Sequence, residues 1–88
     1  MTITGTTVEE PLEIGFIYGV TITGLTAGHT TALQYEDSNG FHTIDDTEVS
    51  GIEGHVDHVI LVTSRRINIL VSAGTGDLEV NFTRKRNR

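Results

Sequence analysis

The chain has 88 residues with no cysteine, no tryptophan and five aromatics, and its twelve acids against six bases give a formal charge of −6 at pH 7. That length makes one domain, whose fold covers roughly 60–65% of the surface the unfolded chain exposes, and the lack of cysteine excludes a disulfide or a thiolate metal site as a staple. The acidic balance disfavours nucleic acid as the main partner, because phosphate binding needs a basic face.

No apolar run approaches the ~20 residues of a membrane span, and the opening MTITGTTVEEPLE has neither the basic nor the apolar region of a secretory leader. Only 36% of the residues are hydrophobic. A core that thin points to support from neighbours, so a homo-oligomer or a place in a larger assembly is expected.

No apolar pattern of helical period is sustained anywhere, whereas alternation of period two recurs. In chain order, a first strand is predicted over Thr2–Val8, within an N-terminal arm of residues 1–10 that can add to a neighbour's sheet edge. Pro11 marks an edge or a break. Leu12–Gly15 is predicted as strand running on to Phe16–Thr23, and GLTAG (24–28) reads as a connection. Thr30–Tyr35 and Phe41–Asp45 are the next strands, joined through the acidic turn EDSNG, in which Asn39 and Gly40 are expected to take positive φ. GIEG (51–54) is a connection and His58–Thr63 a strand. Ile67, Ile69 and Val71 then share one face of a strand over Ile67–Ser72. Leu78, Val80 and Phe82 share one face of a last strand over Leu78–Thr83. The Gly-rich stretch Ala73–Asp77 between them predicts a hairpin. The whole reads as an all-β fold, a small antiparallel β-sandwich or barrel of six to seven short strands over residues 1–83. Residues 84–88 form a separate basic tail.

Three candidate sites were tested against the chemistry they would need. An EF-hand calcium loop starting at Asp37 finds Asn39 at position 3 and Glu48 at position 12, but Phe41 and His42 stand at positions 5 and 6, where an oxygen ligand and glycine are required. EDSNG is therefore a turn. His55-x-x-His58, with Glu53 and Asp57 nearby, fails as a metal pair because residues i and i+3 of a strand point to opposite faces. The four histidines read as polar and solvated. No serine stands in a Gly-x-Ser-x-Gly context, and the pairs Glu9-Glu10 and Asp45-Asp46 lie in a fold too small for a deep cleft. No catalytic residue, cofactor or metal is assigned, and the expectation is a protein that is not an enzyme.

Charge is the remaining signal. Residues 1–83 hold all twelve acids and only two bases, Arg65 and Arg66, while Arg84, Lys85, Arg86 and Arg88 crowd the last five positions. Arg65-Arg66 fits an ion pair with the acidic body or with an acidic neighbour. The C-terminal bases read as an arm that docks on an acidic surface, with a frayed, solvated end or a nucleic-acid contact as the alternatives. Glu36 and Asp37, at the tip of the turn, are the acids a neighbour's bases would meet.

The run Thr31-Ala-Leu-Gln-Tyr-Glu-Asp-Ser-Asn-Gly40, followed by Phe41-His-Thr-Ile44, and the later Ser64-Arg-Arg-Ile-Asn-Ile-Leu-Val-Ser-Ala-Gly-Thr-Gly76 resemble a pattern in small bacteriophage virion proteins of β-sandwich type. These include head decoration (cement) and tail-associated proteins. The resemblance covers about Thr30 to Thr83; the pattern often has Trp after the turn, where this chain has Phe41. It implies a virion structural protein, best fitted as a decoration protein that binds and stabilises the outer head surface. The major capsid protein or another virion protein would be its partner. The chain would be made in the host cytoplasm and reside on the head. A tail- or fibre-associated receptor- or glycan-binding module is the alternative.

Overall fold

A computed structural model describes residues 2–3, 7–9 and 12–87, with 7–9 and 86–87 described by backbone alone. Pro11 and Arg88 lie outside the described residues. Nine strands form among those described: β1 (Thr2–Ile3), β2 (Thr7–Glu9), β3 (Phe16–Leu25), β4 (Thr30–Asp37), β5 (Gly40–Thr43), β6 (Val49–Ser50), β7 (Gly54–Leu61), β8 (Ile67–Ala73) and β9 (Leu78–Asn87). One sheet has the order β1-β9-β3-β7, and the other β2-β8-β4-β5, with β6 also alongside β4. Every pairing is antiparallel. The sheets do not close on each other, so the fold is a sandwich and not a barrel.

Alternation selects the inner faces. Tyr18, Val20 and Ile22 of β3, Ile60 of β7 and Leu78 and Val80 of β9 meet Leu33 of β4 and Ile67 and Ile69 of β8 in one buried cluster. Val20, Ile22, Leu33, Ile67 and Ile69 are wholly buried. Each such side chain stabilises the fold by about 1.5–3 kcal/mol relative to an exposed one. The predicted faces Ile67-Ile69-Val71 and Leu78-Val80-Phe82 both turn inward, with Val71 and Phe82 at the margin of the cluster.

Several predicted elements are corrected. The strand expected over Thr2–Val8 is two short pieces in different sheets: β1 pairs with the chain's own β9 and β2 with its own β8. Residues 12–15 are not strand; Leu12 is buried, Gly15 turns at φ 90°, and Gly15 N donates to Val62 O at 2.9 Å. The hairpin expected between Ile67–Ser72 and Leu78–Thr83 does not form, because β8 and β9 belong to opposite sheets. Residues 74–77 cross between the layers, with Gly74 at φ 100° and Gly76 at φ 97°. Each strand buries its own apolar face, and a Gly-rich connection serves a crossing as well as a hairpin. The last strand, expected to stop at Thr83, continues through Asn87, with Tyr18 opposite Arg84 and Phe16 opposite Asn87. A ladder needs backbone groups and not apolar side chains, so the basic run did not end it.

Among the described residues the one tight hairpin is the EDSNG turn. Asp37 pairs with Gly40, and Asp37 Oδ1 accepts a hydrogen bond from Asn39 N at 2.7 Å. Gly40 takes φ 108°, as expected; Asn39 does not enter the left-handed region, and among the described residues Asp46 is the non-glycine residue that does, at φ 65°. Aspartate at the first turn position and glycine at the fourth suit this geometry.

Candidate functional site

The registers place chain segments at two ends of the sandwich. Phe16 faces Asn87 and Ile17 faces Leu61 in one sheet, and Tyr35 faces Ile67 in the other. With the 62–66 connection joining β7 to β8, these segments form one end. Leu25 opposite Gly54 and Thr30 opposite Ala73 form the other.

This arrangement gathers the predicted interface residues. Arg65, Arg66, Arg84, Lys85 and Arg86 all stand at the first end, with Glu13, Glu36 and Asp37 among them, Glu9 opposite Ile67, and Asp45 beside Tyr35, Leu61 and Thr63. The rest of the described chain carries Asp46, Glu48, Glu53, Asp57, Asp77 and Glu79, and among the described residues it holds no lysine or arginine.

Local contacts set Arg84, Lys85 and Arg66. Arg84 Nη1 lies 3.0 Å from Glu13 Oε1, and its guanidinium sits 4.7 Å from the Phe16 ring centroid. Tyr18 fixes the loop beneath, its hydroxyl accepting from Glu13 N at 3.0 Å. Lys85 runs its stem across Gly19 of β3: a Cβ at Gly19 would stand 2.7 Å from Lys85 Cε. Arg66 Nη1 is 3.1 Å from Glu36 Oε1, and Arg65 borders an open hollow with Leu12, Glu13 and Ile14.

The acidic tip of the turn is occupied from within the chain. Asp37 Oδ1 also meets His42 Nε2 at 2.9 Å, and the His42 ring tilts against Tyr35 with centroids 5.3 Å apart. The Asn39 backbone N–H, with help from His42, holds the Asp37 carboxyl below the usual carboxylate range. Glu36 and Asp37 thus share an end with the bases they were expected to attract from a neighbour, and Arg66 and His42 already face them.

The histidines divide. His55 is exposed and His42 half-buried, but His29 and His58 are buried at 2% and 7% exposure, against the expectation that all four are solvated. His29 Nδ1 accepts from Thr26 N at 2.9 Å, and its ring lies under Gly74. His58 points inward from β7, while His55 and Asp57 point outward, the opposition of i and i+3 that a strand imposes. Burial pushes the His58 imidazole pKa down, and Asp57 offsets this in part. Among the described residues no three His, Asp or Glu side chains converge to hold a metal ion.

One structural residue gave no sequence signal. Thr47 is 3% exposed; its hydroxyl donates to Ile44 O at 2.7 Å and accepts from Leu33 N at 3.1 Å, pinning the loop after β5 to β4. Nothing in the string DDTEVS distinguishes it from any loop threonine.

Comparisons with known proteins find no match to this chain, whether among family models, curated proteins or solved structures.

Proposed function

We propose that the chain is a non-enzymatic structural protein of a virus particle, a decoration (cement) protein that binds the outer head surface by its basic end. The observation that carries this reading is the grouping of five basic residues at one end of the sandwich, while the other charged residues among those described are all acidic. β3 alone spans ten residues, about 30 Å of strand. Screening in physiological salt acts over about 8 Å. A partner surface at this end therefore meets the bases together with the acids that stand among them, Glu13 at Arg84 and Glu36 at Arg66, and feels the acids of the far end less. An acidic patch on a capsid would both attract and orient such a molecule. The resemblance of residues 30–83 to small virion β-sandwiches supports the same reading.

The test is binding to capsid particles prepared without the protein. Wild type should occupy them, and occupancy should fall as salt is raised. Arg84→Glu with Lys85→Glu should lose most of the binding, while Glu53→Lys at the opposite end should not. Circular dichroism confirms that each variant is folded. Occupancy by the double variant equal to wild type across the salt series would overturn the proposal. A positive glycan array without capsid binding would favour the receptor-binding alternative.

A further inference from the structure

The open edges of the two sheets differ in length. Among the described residues, β1, β2 and β5 are edge strands of two, three and four residues, whereas β7 presents an edge of eight. Folded proteins guard long edges with lysine, proline, a bulge or a covering segment. β7 reads GHVDHVIL, without lysine or proline, and its ladder to β3 is regular from Leu61 to His55.

Its backbone direction follows from the neighbouring bonds. Val62 N donates to Phe16 O at 3.0 Å, and Val62 O accepts from Gly15 N at 2.9 Å, so the polar groups of Val62 point toward β3. Alternation then turns the N–H and C=O groups of Leu61, Val59, Asp57 and His55 away from β3, toward the open side. Among the described residues, no backbone hydrogen bond outside the ladders reaches His55, Asp57 or Val59.

The side chains of these residues share the outer face. Val59 is 72% exposed. His55 and Asp57 are each 65% exposed, with Nε2 and Oδ2 3.9 Å apart. Thr21 steadies Asp57 by donating to Oδ1 at 2.7 Å.

A second copy meets this edge as a chemical complement. In an antiparallel, two-fold pairing the same strand supplies both partners, and the outward backbone groups allow few registers. One sets Asp57 against Asp57 of the second copy, a like-charge pair that opposes association. Another sets Asp57 against Val59. A third sets His55 of each chain opposite Asp57 of the other, giving two imidazole–carboxylate pairs across one interface. We propose that β7 pairs with β7 of a second copy in this third register, joining two four-stranded sheets into one continuous sheet. The proposal goes beyond the particle-binding reading and holds for the protein alone in solution.

Sedimentation across a concentration series tests it. Wild type should shift from monomer to dimer. Asp57→Lys should move the transition to higher concentration, and His55→Glu with Asp57→Lys should restore it by reversing each pair. The register has its own probe in a chain without cysteine. His55→Cys and Asp57→Cys proteins, mixed under mild oxidation, should form a mixed disulfide dimer faster than either forms its own. A protein that stays monomeric at every concentration at which it remains in solution would overturn the proposal. So would a mixture that cross-links no faster than its components.

Discussion

Gly74 lies against His29 so closely that no side chain fits between them: a Cβ at position 74 would stand 2.4 Å from His29 Cδ2 and 2.9 Å from His29 Cα. The crossing from β8 to β9 thereby seals the buried ring of the 26–29 turn. Gly74→Ala adds this clash to a φ of 100°. It should cost roughly 2–4 kcal/mol, from backbone strain and overpacking together. Gly19→Ala is the control. Its new methyl meets only the flexible Lys85 stem, at ordinary φ. It should change stability by less than about 0.5 kcal/mol. Urea midpoints at constant slope measure both.

His58 predicts a pH dependence with a definite sign. Its folded pKa is below the ordinary 6.5, through burial first, with Asp57 opposing. As pH falls, the unfolded chain binds this proton before the folded one does, so stability is full above 6.5 and declines below it. His58→Leu should remove that decline. Asp37 and Glu79 act in another window: their pKa values are lowered, by the Asn39 N–H and the Thr2 hydroxyl respectively, from 3.8 and 4.5. Their stabilisation is present above those values and is lost below them. Unfolding titrations on either side of pH 6.5 isolate the histidine; a His58→Leu profile parallel to wild type there would contradict the assignment.

Thr47→Val keeps the shape and deletes the hydroxyl. Leu33 N then loses the acceptor that stands 3.1 Å away, and this in a buried setting. A loss of about 1–3 kcal/mol is expected, the cost of leaving a buried donor unpaired. Thr47→Ser retains the hydroxyl and should recover most of it. Hydrogen exchange at the Leu33 amide should quicken in the valine variant alone.

Arg84 makes two contacts, with Glu13 and with the Phe16 ring, yet its side chain is 51% exposed. Exposed pairs and cation–ring contacts each contribute about 0–1 kcal/mol. Arg84→Ala should therefore destabilise by about 1 kcal/mol or less while removing a charge from the basic end. Melting and particle binding should separate: a small change in the first, a large one in the second.

The strands were legible where burial is one-sided. Leu78 and Val80 alternate with the exposed Glu79 because one face of that strand is wet, whereas Asn68, between Ile67 and Ile69, is itself buried and donates to Gln34 Oε1 at 2.8 Å. Partner choice was not legible. A Gly-rich span of five residues suits a hairpin and a crossing alike, and what decides is the docking of Gly74 on His29, 45 positions earlier in the chain. The same distance hid His29, since nothing near it in sequence announces its cover. Arg84–Arg86 read as a tail because charge marks solvated side chains, while the backbone beneath them extends a ladder with Ile17 and Tyr18. The cluster of bases at one end was half visible: their crowding in sequence was plain, but Arg65 and Arg66 join them only through the antiparallel return of β8.

The sheet order also sets a timetable for synthesis. β9 lies between β1 and β3, so Thr2 waits for Glu79 and Phe16 waits for Asn87. While the chain emerges from the ribosome, the β4–β5 hairpin is the short-range unit ready to form. β3 gains β7 later and its second flank only when the last strand is made. Half of one layer is left without its central partner until then, and folding dominated by such distant pairings is slow. Val20 and Ile22 face the opposite sheet, so their cover comes from Leu33 of β4 and Ile67 and Ile69 of β8, which precede β9 in the chain, and what β9 adds is the second flank of the β3 ladder.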